Sequence, residues 1–227
     1  MNHDPNLAIL KMAVDALGPL LDELVLVGGC AIGLLITDRA RPPVRQTVDV
    51  DLLTEVAPRT DYYALCERLK ERGFKEHTGE VMCRWSKDDL LVDIMPTDES
   101  ILGFTNPWYA RAVAHADRHR LSGGQEIRLI NAVYFLATKV EAFHDRGAGD
   151  YLHHDIEDIV TLVDGRESIV DEVLAADDEV RDFLREEFDN LLADPAFTDR
   201  MSWHLAPNDQ RGRKEIILAR MRKIAGL

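Results

Sequence analysis

The stretch Val48-Asp49-Val50-Asp51-Leu52 decides the fold, together with Leu24-Val25-Leu26-Val27-Gly28-Gly29 upstream of it. Successive strand residues point to opposite faces, so Asp49 and Asp51 share one face and Val48, Val50 and Leu52 the other. Two like charges that close repel each other and call for a compensating cation. Hard oxygen ligands suit Mg²⁺, which keeps several waters and is shared between a few carboxylates and substrate phosphates. The glycine pair lets a phosphate-bearing ligand approach the backbone closely. Together the two segments point to phosphoryl or nucleotidyl transfer.

Working outward, a third apolar run, Leu90-Leu91-Val92-Asp93-Ile94-Met95, carries one aspartate and is closed by Pro96. A charge inside such a run is costly unless it is paired or binds a metal. If this strand neighbours the first, Asp49, Asp51 and Asp93 converge; two would hold Mg²⁺ and the third could also act as general base. Around these strands the periodicity predicts a helix over 6–21 interrupted at Gly18-Pro19, and a strand over 24–27. It then predicts a helix from the glycine turn over 30–37, a loop over 39–45 and a helix over 59–72 ended by Gly73. Two short strands, 74–77 and 81–86, flank a turn at Thr78-Gly79, and Lys87-Asp88-Asp89 reads as the next turn. Periodicity is weak from Thr97 to Gly124. Beyond the Ser122-Gly123-Gly124 turn nearly everything reads as helix: 131–144, 155–163, 167–176, 178–192 and 209–224. The expected class is α+β, with a mixed β-sheet domain flanked by helices over 1–124 and an α-helical domain over 125–227.

Composition sets the outer bounds. Of 227 residues, 46% are hydrophobic and 30% charged, an ordinary globular balance. The longest apolar run, Leu24 to Ile36, is too short to span a bilayer, and the N-terminus lacks the pattern of a signal peptide; the expectation is a cytoplasmic protein without a membrane partner. Cys30, Cys66 and Cys83 form no CxxC pair, so neither a zinc pattern nor a disulfide framework is expected. A net charge of −14 argues against broad, sequence-independent nucleic-acid binding. The segment 211–223 is locally basic, with Arg211, Arg213, Lys214, Arg220, Arg222 and Lys223 against Glu215, and reads as a solvated face or a surface for RNA or an acidic partner protein. Trp85, Trp108 and Trp203 are too scattered for a base-stacking platform. Arg45, shortly before the aspartate strand, reads as a solvated loop arginine, a phosphate contact or an aspartate partner.

Val27-Gly28-Gly29, Thr47-Val48-Asp49-Val50-Asp51-Leu52 and Val92-Asp93-Ile94 resemble the three motifs of DNA-polymerase-β-like nucleotidyltransferases. Downstream, Leu136-Ala137-Thr138-Lys139-Val140-Glu141-Ala142-Phe143-His144-Asp145-Arg146, followed by His154-Asp155-Ile156-Glu157-Asp158-Ile159, is similar to the fourth motif of the AbiEii/AbiGii toxin family. The chain departs from that motif at His154, where the family usually has lysine. The resemblance, over roughly 24–166, implies an NTP:acceptor nucleotidyltransferase using Mg²⁺, with Asp49, Asp51 and Asp93 catalytic and metal-binding. It implies nucleotide binding by Gly28, Gly29, Lys139, Arg146 and Asp158, and the toxin half of a toxin–antitoxin or phage-defence pair, with an antitoxin protein as partner and tRNA as one acceptor class. The residues themselves agree: Lys139 lies on an otherwise apolar helix, and Arg146 follows two turns later on the same face. Asp158 sits in an apolar stripe, as a buried partner of Lys139 or Arg146 or as a site residue, and Asp155 near a helix start, where its charge suits the dipole. Two other readings stand beside this one. The acceptor could be a small molecule such as an antibiotic, or a protein hydroxyl; and the chain could be a non-catalytic partner-binding protein on a degenerate nucleotidyltransferase fold. His153-His154-Asp155 has the His-Asp pairing of metal phosphohydrolases, but the spacing to further ligands such as His144 matches no familiar pattern.

Overall fold

The structure is a computed structural model and describes residues 4–38, 41–55, 59–77, 83–147, 149–205 and 210–227. The fold is α+β. The chain forms two compact units, one of residues 4–34 and 45–131 built on a sheet, the other of 35–44 and 132–227 built of helices. Among the described residues no helix is long and apolar enough to cross a membrane.

In the sheet unit, seven strands, β1 (Leu24–Val27), β2 (Val50–Thr54), β3 (Lys75–Glu76), β4 (Arg84–Lys87), β5 (Leu90–Pro96), β6 (Asp117–Arg120) and β7 (Glu126–Leu129), form one mixed sheet in the order β3-β4-β5-β2-β1-β7-β6. β2 runs parallel to β5 and antiparallel to β1, and β1 runs parallel to β7. The central strands are continuous apolar runs because both faces are covered: Leu24 to Val27 are all buried, as are Val50, Leu52, Leu53, Val92 and Ile94. Helix α1 (Leu7–Leu17) buries Leu10, Ala13, Val14 and Leu17 at helical spacing. It stops at Gly18, which takes φ 51°, and a 3₁₀ turn over Gly18–Glu23 leads into β1. Helices α2 (Gly28–Leu35) and α3 (Arg59–Glu71) follow β1 and β2, with Gly73 (φ 85°) just past the end of α3. The turn expected at Thr78-Gly79 lies outside the described residues.

Two features of this unit differ from expectation. The weakly periodic stretch after Thr97 holds two short helices, α4 (Glu99–Leu102) and α5 (Tyr109–Ala114), and strand β6. β6 reads Asp-Arg-His-Arg, an edge strand with no apolar face, so its pairing with β7 leaves no hydrophobic signal. The second is β7, an unforeseen strand between the Gly124 turn and the first helix expected beyond it, 131–144. It is a parallel neighbour of β1, and its Ile127 and Leu129 are buried.

In the helical unit, α6 (Ala132–Ala142) is the central helix, buried from Ala132 through Val140. It runs into a π turn over Phe143–Gly147. Around it come α7 (His154–Gly165), α8 (Ile169–Leu174), α9 (Asp178–Ala193), α10 (Pro195–Arg200) and α11 (Gln210–Ala225). α9 shows the logic of the layer: Val180, Leu184, Phe188 and Leu191 form one buried stripe on a helix whose other faces are charged. The stretch 35–44 belongs here because the end of α7 holds it. Arg41 Nε donates to Asp164 Oδ2 at 3.0 Å and its Nη2 to Thr161 Oγ1 at 2.8 Å, while Thr37 N and Asp38 N both donate to Gly165 O at 2.9 Å. Arg213 on α11 completes this knot, reaching Asp164 at 2.9 Å and Asp38 at 3.0 Å.

Candidate active site

Two of the three aspartates are neighbours on the sheet, and the third precedes it. Asp51 is in register with Asp93 across the parallel β2–β5 pair, and Asp51 is also in register with Val27 across β1–β2. Asp49 lies in a bend one residue before β2, and so is placed by that bend rather than by the strand itself. Its carboxylate is fixed locally, because Thr47 Oγ1 donates to Asp49 Oδ1 at 2.8 Å. The bend is pinned in turn by Asn6, only 1% exposed. The Asn6 amide donates to Arg45 O at 3.0 Å and accepts from Thr47 N at 2.9 Å.

Gly28 and Gly29 have different roles. Gly28 follows the residue opposite Asp51 and takes φ 62°; a Cβ there would lie 1.9 Å from Asp51 Oδ2. What its missing side chain admits is the Asp51 carboxylate itself, at a backbone conformation that suits glycine. Gly29, the second residue of α2, sits at an ordinary φ, and a Cβ there would lie 3.3 Å from the Arg45 guanidinium and from Thr47.

A fourth residue, absent from the expected set, binds the cluster together. Arg84 on β4 faces Asp93 across the antiparallel β4–β5 pair. Its Nε donates to Asp93 Oδ1 and its Nη2 to Asp93 Oδ2, both at 2.7 Å, and the same Nη2 donates to Asp49 Oδ2 at 2.6 Å. A single row thus crosses four strands, Arg84, Asp93, Asp51 and Val27. The hydrogen bonds to Asp93 hold the Arg84 guanidinium above its ordinary pKa; burial works against this, and Asp93, Asp49 and Asp51 add to it through charge. A sequence signal for Arg84 does exist. The turn at Lys87-Asp88-Asp89-Leu90, with Asp88 at φ 53°, pairs Lys87 with Leu90, and counting back from it puts Arg84 opposite Asp93.

The donor set fits a hard divalent cation. Asp49 and Asp93 share the Arg84 guanidinium, and Asp51 stands in register with Asp93 beside the glycine turn, all three offering carboxylate oxygens. Two buried cysteines stand beside them. Burial, with Asp51, Asp4 and Asp49 adding to it, pushes the Cys30 thiol above its ordinary range, and burial with Asp93 and Asp51 pushes Cys83 to about 12.

The other predicted residues meet in the helical unit. Lys139, on α6 and 6% exposed, reaches Asp158 Oδ2 at 2.6 Å and Asp155 Oδ1 at 3.0 Å. Arg146, in the π turn, grips Asp155 through Nε and Nη2, both at 2.8 Å. Lys139 and Arg146 therefore do converge, on Asp155 at the first turn of α7. Burial lowers the Lys139 pKa, but Asp158 and Asp155 more than offset it and the net shift is upward. Burial likewise opposes the Asp155 anion, and the Arg146 and Lys139 cations outweigh it, leaving Asp155 well below the usual carboxylate range. His154 stands 3.6 Å from Asp155, and burial, with the neighbouring cations, lowers it to about 4 against the pull of Asp155. The position where the resembling family usually has lysine is thus uncharged at neutral pH. Nδ1 and Nε2 atoms of His153 and His154 and an oxygen of Asp155 lie within 4.8 Å of one another. Lys139 and Arg146 already hold that carboxylate, so two cations oppose a third there.

No family model and no curated protein matches this chain. Among solved structures, the chain is similar to an antigenic nucleotidyltransferase-like protein from Paracoccidioides brasiliensis, at 22% identity and a TM-score of 0.49, over 69% of this chain and 76% of that one.

Proposed function

We propose that the protein is a Mg²⁺-dependent nucleotidyltransferase that moves a nucleoside monophosphate from an NTP to an acceptor hydroxyl. The observation that carries this reading is that Asp51 and Asp93 stand in register on neighbouring parallel strands, Asp51 against the Gly28 turn, while Asp49 and Asp93 share one cationic group. Clustered carboxylates beside a backbone turn are what a metal–triphosphate complex requires. Asp49, Asp51 and Asp93 would hold the metal, which when bound neutralises phosphate charge. Asp93 would take the proton of the acceptor hydroxyl; the hydroxyl oxygen attacks the α-phosphorus, the bond to the β-phosphate breaks, and pyrophosphate leaves.

For the acceptor, the downstream resemblance favours the toxin reading, with a tRNA 3′ end as acceptor and an antitoxin as partner. Its support is that Lys139, Arg146, Asp155 and Asp158 act as one ionic cluster rather than as scattered surface charges. The Arg146 side chain, 55% exposed against 7% for Lys139, is the cation of that cluster a phosphate can reach more readily. The net charge of −14 favours a second reading, a cationic small-molecule acceptor. Incubation with labelled NTPs, total tRNA and cationic small molecules separates the two by which species carries the label. Changing Asp49→Asn together with Asp51→Asn should abolish transfer while leaving the circular dichroism spectrum intact; full retained transfer refutes the assignment.

A further inference from the structure

The Arg84 guanidinium stands where a cation shared by Asp49 and Asp93 would stand. Its Nη2 lies 2.6 Å from Asp49 Oδ2 and 2.7 Å from Asp93 Oδ2, and its Nε takes the remaining Asp93 oxygen at 2.7 Å. A metal bridging those two carboxylates would bind at about 2.0–2.1 Å from their oxygens, which puts it in contact with Nη2. Two cations at that separation repel and compete for the same lone pairs. Arginine does not deprotonate in proteins, so proton loss offers no way out; the guanidinium must move. Its side chain is 19% exposed, on a four-residue strand next to the short β3.

From this geometry we infer that Arg84 is an internal counter-ion of the metal site: it holds Asp49 and Asp93 together when no metal is bound, and divalent cations bind only by displacing it. This rests on the proposed metal site and adds to it a competition within the chain. Arg84 is a positioning residue here, acting on the site through the two carboxylates. The measured metal affinity is then the intrinsic affinity reduced by the fraction of molecules in which Arg84 has let go. R84Q removes the whole grip, but the two carboxylates it leaves facing each other relax apart, so the net gain in metal affinity is that of one hydrogen bond to a charged group, about ten- to a hundredfold.

The test is Mn²⁺ titration of the nucleotide-free protein, by calorimetry and by loss of the free Mn²⁺ paramagnetic signal, with thermal melting alongside. R84Q should bind Mn²⁺ about ten- to a hundredfold more tightly than the unmodified chain. It should also melt lower without metal, because the carboxylates are left facing each other, and gain more in melting temperature on adding Mn²⁺. R84K, which keeps the charge but loses the forked grip, should fall between them and serves if R84Q does not fold. D49N with D93N should lose the binding. Equal or weaker binding by R84Q and R84K, with binding still lost in D49N/D93N, overturns the counter-ion role and leaves the metal site standing. Binding that survives D49N/D93N, or no binding by any variant, overturns the metal site and the counter-ion role together.

Discussion

Replacing Gly28 by alanine should damage the protein far more than the same change at Gly29 next to it, for reasons that can be worked atom by atom. A Cβ on Gly28 would lie 1.9 Å from Asp51 Oδ2, 2.5 Å from its Cγ and 2.7 Å from its Cβ. A new rotamer moves the first two atoms away but not the third, so the β1–β2 backbone itself must shift. Overpacking of this kind costs about 1–3 kcal/mol, and the left-handed φ of 62° adds about 1–2 kcal/mol for a residue with a side chain. The sum is about 2–5 kcal/mol for G28A. At Gly29 the nearest atoms are 3.3 Å away, and the residue sits at an ordinary φ in the first turn of α2. The flexible Arg45 side chain can move aside and Thr47 must give by a few tenths of an ångström, a small cost set against the gain of about 0.5–1 kcal/mol that alanine has over glycine in a helix, so G29A should lie within about 1 kcal/mol of the parent. Urea unfolding followed by circular dichroism measures both. A cycle adding D51A sharpens the test. Loss of the carboxylate removes two of the three contacts but leaves Asp51's Cβ, so G28A should be partly rescued, by about 1 kcal/mol. Equal effects of G28A and G29A, or strict additivity of G28A with D51A, would refute the steric account of the turn.

Two further expectations concern the helical unit. K139M leaves Asp158, 1% exposed, without its ammonium partner and should cost about 3–5 kcal/mol, whereas K139M with D158L, which removes both charges, should recover most of the loss; urea midpoints that leave the double variant no better than the single one would count against a paired buried charge. His154 should stay neutral until about pH 4 in a proton NMR titration of its ring. Its folded pKa lies below the ordinary histidine value of about 6.5, so its contribution to stability is present above that pH and is lost as pH falls through about 4. H154N should therefore flatten that part of the acid-unfolding curve; a ring that titrates near the ordinary value would refute the account.

The strands carrying Asp51 and Asp93 are legible because a charge inside an apolar run has few explanations, and Val50, Val92 and Ile94 mark the buried faces without ambiguity. Their adjacency is less so, since parallel pairing joins residues far apart in the chain; only the shared motif suggests it. Arg84 shows a different limit. An arginine beside Trp85 in a short polar strand looks unremarkable, and its importance lies in a register that a two-residue turn sets several residues away. β6 offers no apolar alternation to read, because its stabilisation is backbone pairing with β7. For Lys139, the apolar helix announces burial, but the two carboxylates that hold it come from α7, so a lysine read as facing a triphosphate and a lysine held by two aspartates look the same in the sequence.

The stretch 35–44 belongs to the helical unit yet sits, in chain order, in the middle of the sheet unit, and this limits how the protein can be divided. No single cut yields both units whole. A fragment starting at Ala132 would carry Asp164 buried at the end of α7 without Arg41, and a fragment ending at Asn131 would carry Arg41 without Asp164. The first would keep Arg213 but not Arg41 on the Asp164 carboxylate and the second would leave Arg41 without its carboxylate, so fragment complementation should work only with both pieces present, and a stand-alone helical unit needs residues 35–44 grafted back on to it.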